Sequence, residues 1–330
     1  MKLRFCAAAL VAAAALAGCS TMGMTKKPVA QAQPKVCDRQ CLDGVADTYI
    51  AALIAHDPSK APLAADIKTV ENAKPIKPGE GLWKTASEGP TTFKIYVPDP
   101  VSQEIGFMGV LKEDGKPIQL GMRLKLNKDG KIVEAEHMIA RNLAPANLAN
   151  LQTPRAAFSA EVPAADRESR DALTKEGAAY YDALDDNDGS KAPFADDCER
   201  HENGMITATS KPFDPKGPKP LNKAFAYLGH IGCAKQLDTK TMSYIDTIDN
   251  RRVEVADPAT GLVLGFSHFH HSMKKQYVDV AGVPGIKRMP MKFKAFDLPA
   301  MHIFKVQGGK IHEIEAMGFT APYNSPTGWE

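Results

Sequence analysis

Three histidines of this 330-residue chain fall within four positions, at His268, His270 and His271. They follow an apolar run that begins at Gly261, so a strand that starts in the core ends in titratable side chains. The His-x-His spacing places two imidazoles on one face of a strand, which suits metal ligands or acid–base groups in a pocket wall.

A carboxylate that could act with these imidazoles is Glu202, which is followed by Asn203. A carboxyl group in an apolar interior has a raised pKa, which favours proton transfer near neutrality. The same Glu-Asn pair occurs at Glu71 and Asn72, where it could simply cap a turn. Glu202 is therefore either a general base or part of a turn.

The two Glu-Asn pairs belong to two similar halves of the chain. Ser59–Asp66 corresponds to Ser190–Asp197, and Asp99-Pro100 corresponds to Asp257-Pro258. Similar order and spacing over this length predict an internal duplication.

Histidine is unevenly divided between these halves, with only His56 and His137 in the first. We therefore expect any activity in the second half. Strand alternation places His302 where the first half has the inward Met122, so His302 is either a core histidine or a pocket acid or base. Aligning His268 with Gly109 predicts that His268 lies beside His302.

A metal site would need several of these groups to converge on adjacent strands. The set His268, His270 and His302 with Glu202 could do so, but only His268 and His270 share a strand face, and we predict no metal site. The chain has no nucleotide-binding glycine loop and no His-Glu-x-x-His motif, so no cofactor is predicted. Arginines could clamp an anionic substrate or form ordinary ion pairs, namely Arg200, Arg251 and Arg252.

The elements that must position these groups are helices followed by strands. Apolar residues at helical spacing predict helices over 40–56 and 170–185, and Ile118–Leu126 alternates as a half-buried strand. Asp114-Gly115 and Asp129-Gly130 predict hairpin turns. The predicted class is α+β, with two tandem cone-shaped domains, each of helices packed on a curved antiparallel sheet.

This order of elements resembles the nuclear transport factor 2-like (SnoaL-like) cone fold, which ketosteroid isomerases and scytalone dehydratase share. The second half also resembles a largely uncharacterised secreted family of fungi and bacteria. That resemblance is carried by Cys198-x-Arg200-x-Glu202-Asn203-Gly204, Arg251-Arg252, Gly261-Leu262-Val263, Pro322-Tyr323 and Gly328-Trp329. It implies a pocket inside the second cone but no particular reaction, because this fold carries many functions.

The first residues read as a lipoprotein signal. Lys2 and Arg4 precede a short apolar run, and Leu16-Ala17-Gly18-Cys19 resembles a lipobox in which Cys19 takes the lipid. Ser20 at the next position indicates the outer membrane, facing the periplasm, although an ordinary secretory signal would give the same compartment. Without the signal the chain has 39 basic and 39 acidic residues, so nothing favours nucleic acid, and membrane contact is expected only through the lipid.

Four further cysteines in an oxidising compartment suggest two disulfides. Of the three connectivities we favour local pairing, Cys37–Cys41 and Cys198–Cys233.

The predicted organisation is a signal (1–19), a tether (20–36), a first and degenerate cone (37–141), a linker (142–168) and a second cone (169–330), with the cones packed as a pseudo-dimer. Insertions at Thr207–Leu221 and Ser272–Lys292 are candidate lids.

The predicted function is a cofactor-independent lyase or isomerase acting on a small molecule, for example an aromatic or polyketide-like one. Its predicted catalytic residues are Glu202, His302, His268 and Asn203, and its predicted substrate-binding residues are Arg200, His270, Tyr181 and Phe266. The alternatives are a ligand-binding envelope lipoprotein without chemistry, and a structural protein whose two cones are filled by side chains.

Overall fold

A computed structural model describes residues 36–211 and 227–330. The predicted signal, Cys19 and all of the tether except its last residue lie outside the described residues, as does the greater part of the insertion after Thr207. Within the described ranges, no helix is long and apolar enough to cross a membrane.

The first half begins with helix α1 (Arg39–Ile54), which agrees with the helix predicted over 40–56. The Asp38 carboxylate caps it by accepting the backbone N–H of Cys41 at 2.9 Å. The remaining elements of this half are β1 (Leu63–Glu71), β2 (Lys74–Ile76), α2 (Leu82–Thr85), β3 (Ala86–Glu88), β4 (Lys94–Asp99), β5 (Glu104–Glu113), β6 (Lys116–Leu126) and β7 (Ile132–Ala140). Asp114 and Gly115, both with positive φ, form the predicted hairpin turn between β5 and β6.

After helix α3 (Pro145–Asn150), the described elements of the second half begin in the same order, with a helix, two strands and a short helix. Helix α4 (Arg170–Asp185) has the predicted bounds, and Ser169 caps it. The elements that follow are β8 (Phe194–Glu202), β9 (Met205–Ala208), α5 (Cys233–Asp238), β10 (Thr247–Asp257), β11 (Leu262–His271), β12 (Tyr277–Asp279), β13 (Arg288–Pro290), β14 (Phe296–Gln307), β15 (Lys310–Gly318) and β16 (Ala321–Pro322). The predicted insertion at Ser272–Lys292 contains the small hairpin of β12 and β13.

The two main sheets have the same strand order. The first sheet runs β2-β1-β7-β6-β5-β3, with β4 also paired to β5, and the second runs β9-β8-β15-β14-β11-β10, with β16 also paired to β14. Both are antiparallel except at one pair, β1 with β7 and β8 with β15. The predicted α+β class is therefore correct, with one parallel pair in each curved sheet.

Each sheet has two buried faces. The inner face of the first sheet packs on α1, where Leu42, Tyr49 and Leu53 are almost fully buried. The opposite faces of the two sheets pack against each other through a shared core rich in methionine. At Gly121 the sheets approach so closely that a Cβ there would lie 2.4 Å from Met301 Sδ, and the methionine side chains would have to shift to admit it.

Both favoured disulfides, Cys37–Cys41 and Cys198–Cys233, are present. The second joins β8 to α5 and is buried in the core beneath α4. It therefore fixes α5 against the strand that carries Arg200 and Glu202.

Candidate functional site

The inner face of the second sheet brings together the strongest pair of sequence candidates. Strand pairing aligns Glu202 with Ala316, Ala316 with His302, and His302 with Gly265. Laterally paired residues point to the same face of a sheet. Glu202 and His302 thus face the same interior, about 10 Å apart at their Cα atoms because one strand lies between them.

His302 is a buried imidazole held among aromatic rings. Its Nδ1 lies 3.1 Å from the hydroxyl oxygen of Tyr181, and its ring centroid lies 5.1 Å from that of Tyr180. Burial, with the positive charge of Arg200 as a smaller contribution, lowers the pKa of His302 to about 3. The ring is therefore neutral at physiological pH.

Tyr181 determines how this neutral ring can act. Burial raises the pKa of Tyr181, so its hydroxyl keeps its proton and can donate to Nδ1 of His302. The ring then carries its own hydrogen on Nε2. Among the described residues, Nε2 has no hydrogen-bond partner, which makes it available to a ligand.

Glu202 has the properties expected of a general base. Glu202 is half-buried, and its carboxyl group makes no hydrogen bond or ion pair within the described ranges. Burial raises its pKa, and the charge of Arg200 opposes this only in part. A carboxyl group without partners and with a raised proton affinity can take up and release a proton.

Arg200 supplies a positive charge to the same interior. Its Nε donates to Thr207 Oγ1 at 2.9 Å, Nη1 donates to the Tyr180 hydroxyl at 3.4 Å, and Nη2 donates to Gln236 Oε1. These partners are all neutral, although Arg200 is only 4% exposed. A buried guanidinium whose hydrogen-bond partners among the described residues are all neutral is suited to binding an anion.

The other two arginines form ion pairs instead. Arg251 pairs with Asp182 and Asp185, each at 2.6 Å. Arg252 pairs with Glu136 of the first sheet at 2.7 Å and so joins the two sheets. Both arginines therefore form ordinary ion pairs, which was the alternative to clamping an anionic substrate that the sequence left open.

Asn203, a predicted catalytic residue, makes structural contacts with the backbone. Its amide group donates to the carbonyl of Gly318 and accepts the N–H of Gly318, both at 3.0 Å. Asn72 makes the equivalent pair of bonds with Ile139, and both asparagines have positive φ. These two bonds hold the Asn203 amide against the backbone and leave one of its two amide N–H groups without a partner among the described residues, so its catalytic role stays a prediction.

His268, His270 and Phe266 lie on the opposite face of β11, contrary to their predicted place beside His302. His268 pairs across the sheet with Pro299, whereas His302 pairs with Gly265. Phe266 belongs to the core between the sheets. The predicted convergence of His268 with His302 is therefore wrong, and so is the alternative metal set that included both.

A one-residue error in the alignment explains this outcome. Met122 pairs with Phe107 just as His302 pairs with Gly265, so His268 corresponds to Val110 rather than to Gly109. A slip of one residue moves every side chain of a strand to the other face. His271 consequently faces the interior, where it stacks on Phe296 and Tyr244.

The sequence alone did not identify Thr207, Gln236 and Tyr244 as parts of this interior. Gln236 lies three residues after the disulfide cysteine Cys233, on the short helix that the disulfide fixes. The predicted Cys198–Cys233 disulfide was the only feature of the sequence that indicated where Gln236 lies.

The interior of the first sheet holds a different arrangement that sequence reasoning also missed. The Tyr49 hydroxyl lies 2.9 Å from Nε2 of His137, whose Nδ1 lies 3.4 Å from Glu71 Oε2. Glu71 also accepts the N–H of Leu82 at 2.9 Å, and Trp83 packs on Tyr49. Here Glu71, the carboxylate that corresponds to Glu202, already contacts His137 and the backbone of Leu82, and aromatic side chains fill the space above it.

Comparison with known proteins adds little about activity. Residues 166–318 match a family described as a domain of unknown function, DUF8021. No curated protein matches the chain.

Solved structures that resemble the chain do so at low identity. A protein from Silicibacter sp. TM1040, provisionally assigned as a polyketide cyclase, is 14% identical, with 45% of this chain and 89% of that one covered and a TM-score of 0.28. One from Xanthomonas campestris pv. campestris with the same provisional assignment is 18% identical, with 45% and 90% covered and a TM-score of 0.26. AclR from Streptomyces galilaeus, provisionally assigned as a hydroxylase, is 9% identical, with 46% and 91% covered and a TM-score of 0.25.

Proposed function

We propose that the interior of the second sheet binds a small anionic molecule and moves a proton on it, as a lyase or isomerase without a cofactor. The observation that carries this proposal is Glu202, a carboxyl group with a raised pKa and no hydrogen-bond partner among the described residues, which shares its face with the neutral His302. The small side chain of Ala316 lies between them. A substrate over Ala316 could touch both groups.

The proposed chemistry assigns each group one task. The Glu202 carboxylate takes a proton from a carbon next to a carbonyl group, and the electron pair moves to the carbonyl oxygen. Arg200 and Nε2–H of His302 stabilise the developing oxyanion. In an isomerase Glu202 returns the proton to another atom of the substrate, and in a lyase the electron pair expels a leaving group that takes the proton.

Proton exchange tests this mechanism without a known substrate. Deuterium incorporation from D₂O into a panel of aromatic and aliphatic β-keto acids would be followed by NMR. We expect acceleration by the wild type and a loss of about 10²–10⁴-fold in Glu202→Gln, the range that general base catalysis contributes. Glu71→Gln, at the corresponding position of the first sheet, should leave the rate unchanged. An equal rate for the wild type and for Glu202→Gln combined with His302→Ala would contradict the assignment.

A ligand-binding protein without chemistry is the second candidate. It is favoured by the separation of Glu202 and His302, which make no hydrogen bond to each other. In that case calorimetry would detect binding of a β-keto acid that depends on Arg200, and no deuterium would be incorporated.

The cellular setting is part of the same proposal. We infer a lipoprotein anchored through Cys19 at the outer membrane and facing the periplasm, in which two duplicated cones pack as a pseudo-dimer. Two disulfides support an oxidising compartment. Cys19→Ala should release the protein from the membrane fraction, and retention of this variant would contradict lipidation.

A further inference from the structure

The His-x-His segment meets a carboxylate on the face of the second sheet that points away from the candidate site. Asp249 of β10 pairs directly with His268 of β11, and His270 lies one side chain further along the same face. One ligand atom from each of these three residues lies within 4.8 Å of the others. Two strands thus present two imidazoles and a carboxylate to one point.

A fourth residue, Asp297, contacts both imidazoles and orients them. Asp297 is fully buried, with Oδ2 3.3 Å from Nε2 of His268 and Oδ1 2.9 Å from Nδ1 of His270. The backbone N–H of Ser325 donates to Asp297 at 2.9 Å and holds it in place. Asp297 leaves Nδ1 of His268 and Nε2 of His270 for another partner, and a carboxylate behind a histidine is how metal-binding imidazoles are commonly oriented.

The two carboxylate contacts of His270 favour a cation at this imidazole. Its Nδ1 lies 2.9 Å from Asp297 and its Nε2 lies 3.0 Å from Asp249 Oδ1. A neutral imidazole carries one N–H, so one of these two contacts would place a lone pair against a carboxylate. Either a second proton or a metal ion between Nε2 and Asp249 relieves this repulsion, and a divalent ion would also balance the charges of the two carboxylates.

We propose that Asp249, His268 and His270 form a binding site for a divalent transition metal of the zinc type. Two nitrogen ligands and one carboxylate suit Zn²⁺ or Co²⁺ and leave a fourth position open. Zn²⁺ ligands at about 2.1 Å from the metal require the three atoms to draw together, which the exposed Asp249 side chain can do by rotation. The ion can reach the site directly from solvent, because the Asp249 side chain is 52% exposed.

Metal titration of the untagged full chain tests this proposal. After treatment with a chelator, the protein would be titrated with Zn²⁺ against a chromogenic competitor, and with Co²⁺ while its visible absorption is recorded. We expect one ion per chain, at least a tenfold loss of affinity in Asp249→Asn, and loss of the Co²⁺ spectrum in His270→Ala. Affinity should fall as the pH drops, because protons compete for the imidazoles.

A second histidine–aspartate pair provides the matched control. His312 Nδ1 lies 2.7 Å from Asp197 Oδ1 on the surface, and no other histidine joins that pair in the described part of the chain. His312→Ala should leave the affinity unchanged. Absence of stoichiometric binding by the wild type, or equal affinities of the wild type and Asp249→Asn, would overturn the proposal. Because Asp249 is exposed, its replacement should not impair folding, which thermal unfolding would verify.

The result of the metal titration does not depend on whether the proposed proton-transfer function is correct. Glu202→Gln should retain the wild-type metal affinity, since Glu202 lies on the other face of the sheet.

Discussion

Glu202 and His302 face one interior from strands that are separated only by β15, and Ala316 occupies the position between them. Burial affects the two groups in opposite directions, raising the pKa of the carboxyl and lowering the pKa of the imidazole. Both are thereby biased toward their neutral forms. This has measurable consequences for stability as well as for proton transfer.

Glu202→Gln should stabilise the protein, and more strongly as the pH rises. The raised pKa means that the folded state binds the Glu202 proton more tightly than the unfolded state does. The resulting stability is complete below the ordinary value of 4.5 and is lost as the pH rises through the folded pKa. Urea unfolding at pH 4 and pH 8 should therefore give a larger gain in unfolding free energy at pH 8. Glu254→Gln, at an exposed position, should show no such trend, and a gain for Glu202→Gln that does not depend on pH would contradict the burial of this carboxyl.

His302→Met should make the protein less sensitive to acid. A lowered histidine pKa gives stability that is complete above the ordinary value of 6.5 and is lost as the pH falls toward about 3. At one pKa unit per about 1.4 kcal/mol, the wild type should lose up to roughly 4 kcal/mol over that range. The variant should be less stable at pH 7 by about 1 kcal/mol, because Tyr181 loses its hydrogen bond. Unfolding midpoints between pH 4 and pH 7 measure the difference, and His312→Met should retain the acid sensitivity.

Gly265→Ala should disturb the candidate site directly. A Cβ at this position would lie 2.6 Å from the hydroxyl oxygen of Tyr181, so the ring must move away from His302. We expect a loss of about 1–3 kcal/mol in unfolding free energy, as for other overpacked interiors. Gly44→Ala is the control, since its Cβ would meet nothing within 4 Å and alanine favours the helix by roughly 1 kcal/mol. Equal stability of Gly265→Ala and the wild type would show that Tyr181 does not hold this position.

The two disulfides should differ in their contribution to stability. Cys198 and Cys233 are 35 residues apart, whereas Cys37 and Cys41 are four apart. Because loop-closure entropy grows with loop length, replacing the longer bridge by alanines should cost about 4 kcal/mol and replacing the shorter one about 2 kcal/mol. Urea unfolding of the two double variants would compare them. Loss of the longer bridge should also weaken anion binding, because α5 carries the Gln236 side chain that holds Arg200.

Part of this architecture could be predicted from the sequence because it depends on local pattern. Helical spacing gave the bounds of α4, alternation identified β6, and an even number of cysteines suggested the two bridges. The inward direction of His302 also followed from alternation, through its correspondence with Met122. These features depend on residues that are near neighbours in the chain.

Strand register could not be obtained in the same way. The alignment of β11 with β5 was wrong by one residue, and that error alone moved His268 and His270 to the wrong face. Register is decided by pairing with β14, where Gly265 meets His302 and makes room for Tyr181. Sequence similarity over a short apolar strand does not contain that information.

The properties of the functional groups likewise depend partly on the sequence and partly on the tertiary structure. The sequence by itself determined which groups are available: Glu202, Arg200 and the histidines of the second half. Only the tertiary structure decided their partners, giving Arg200 neutral hydrogen-bond partners, Asn203 backbone contacts, and His268 and His270 a shared carboxylate in Asp297. The reason is physical, since pKa values and ligand geometry depend on burial and on contacts between strands that are distant in the chain.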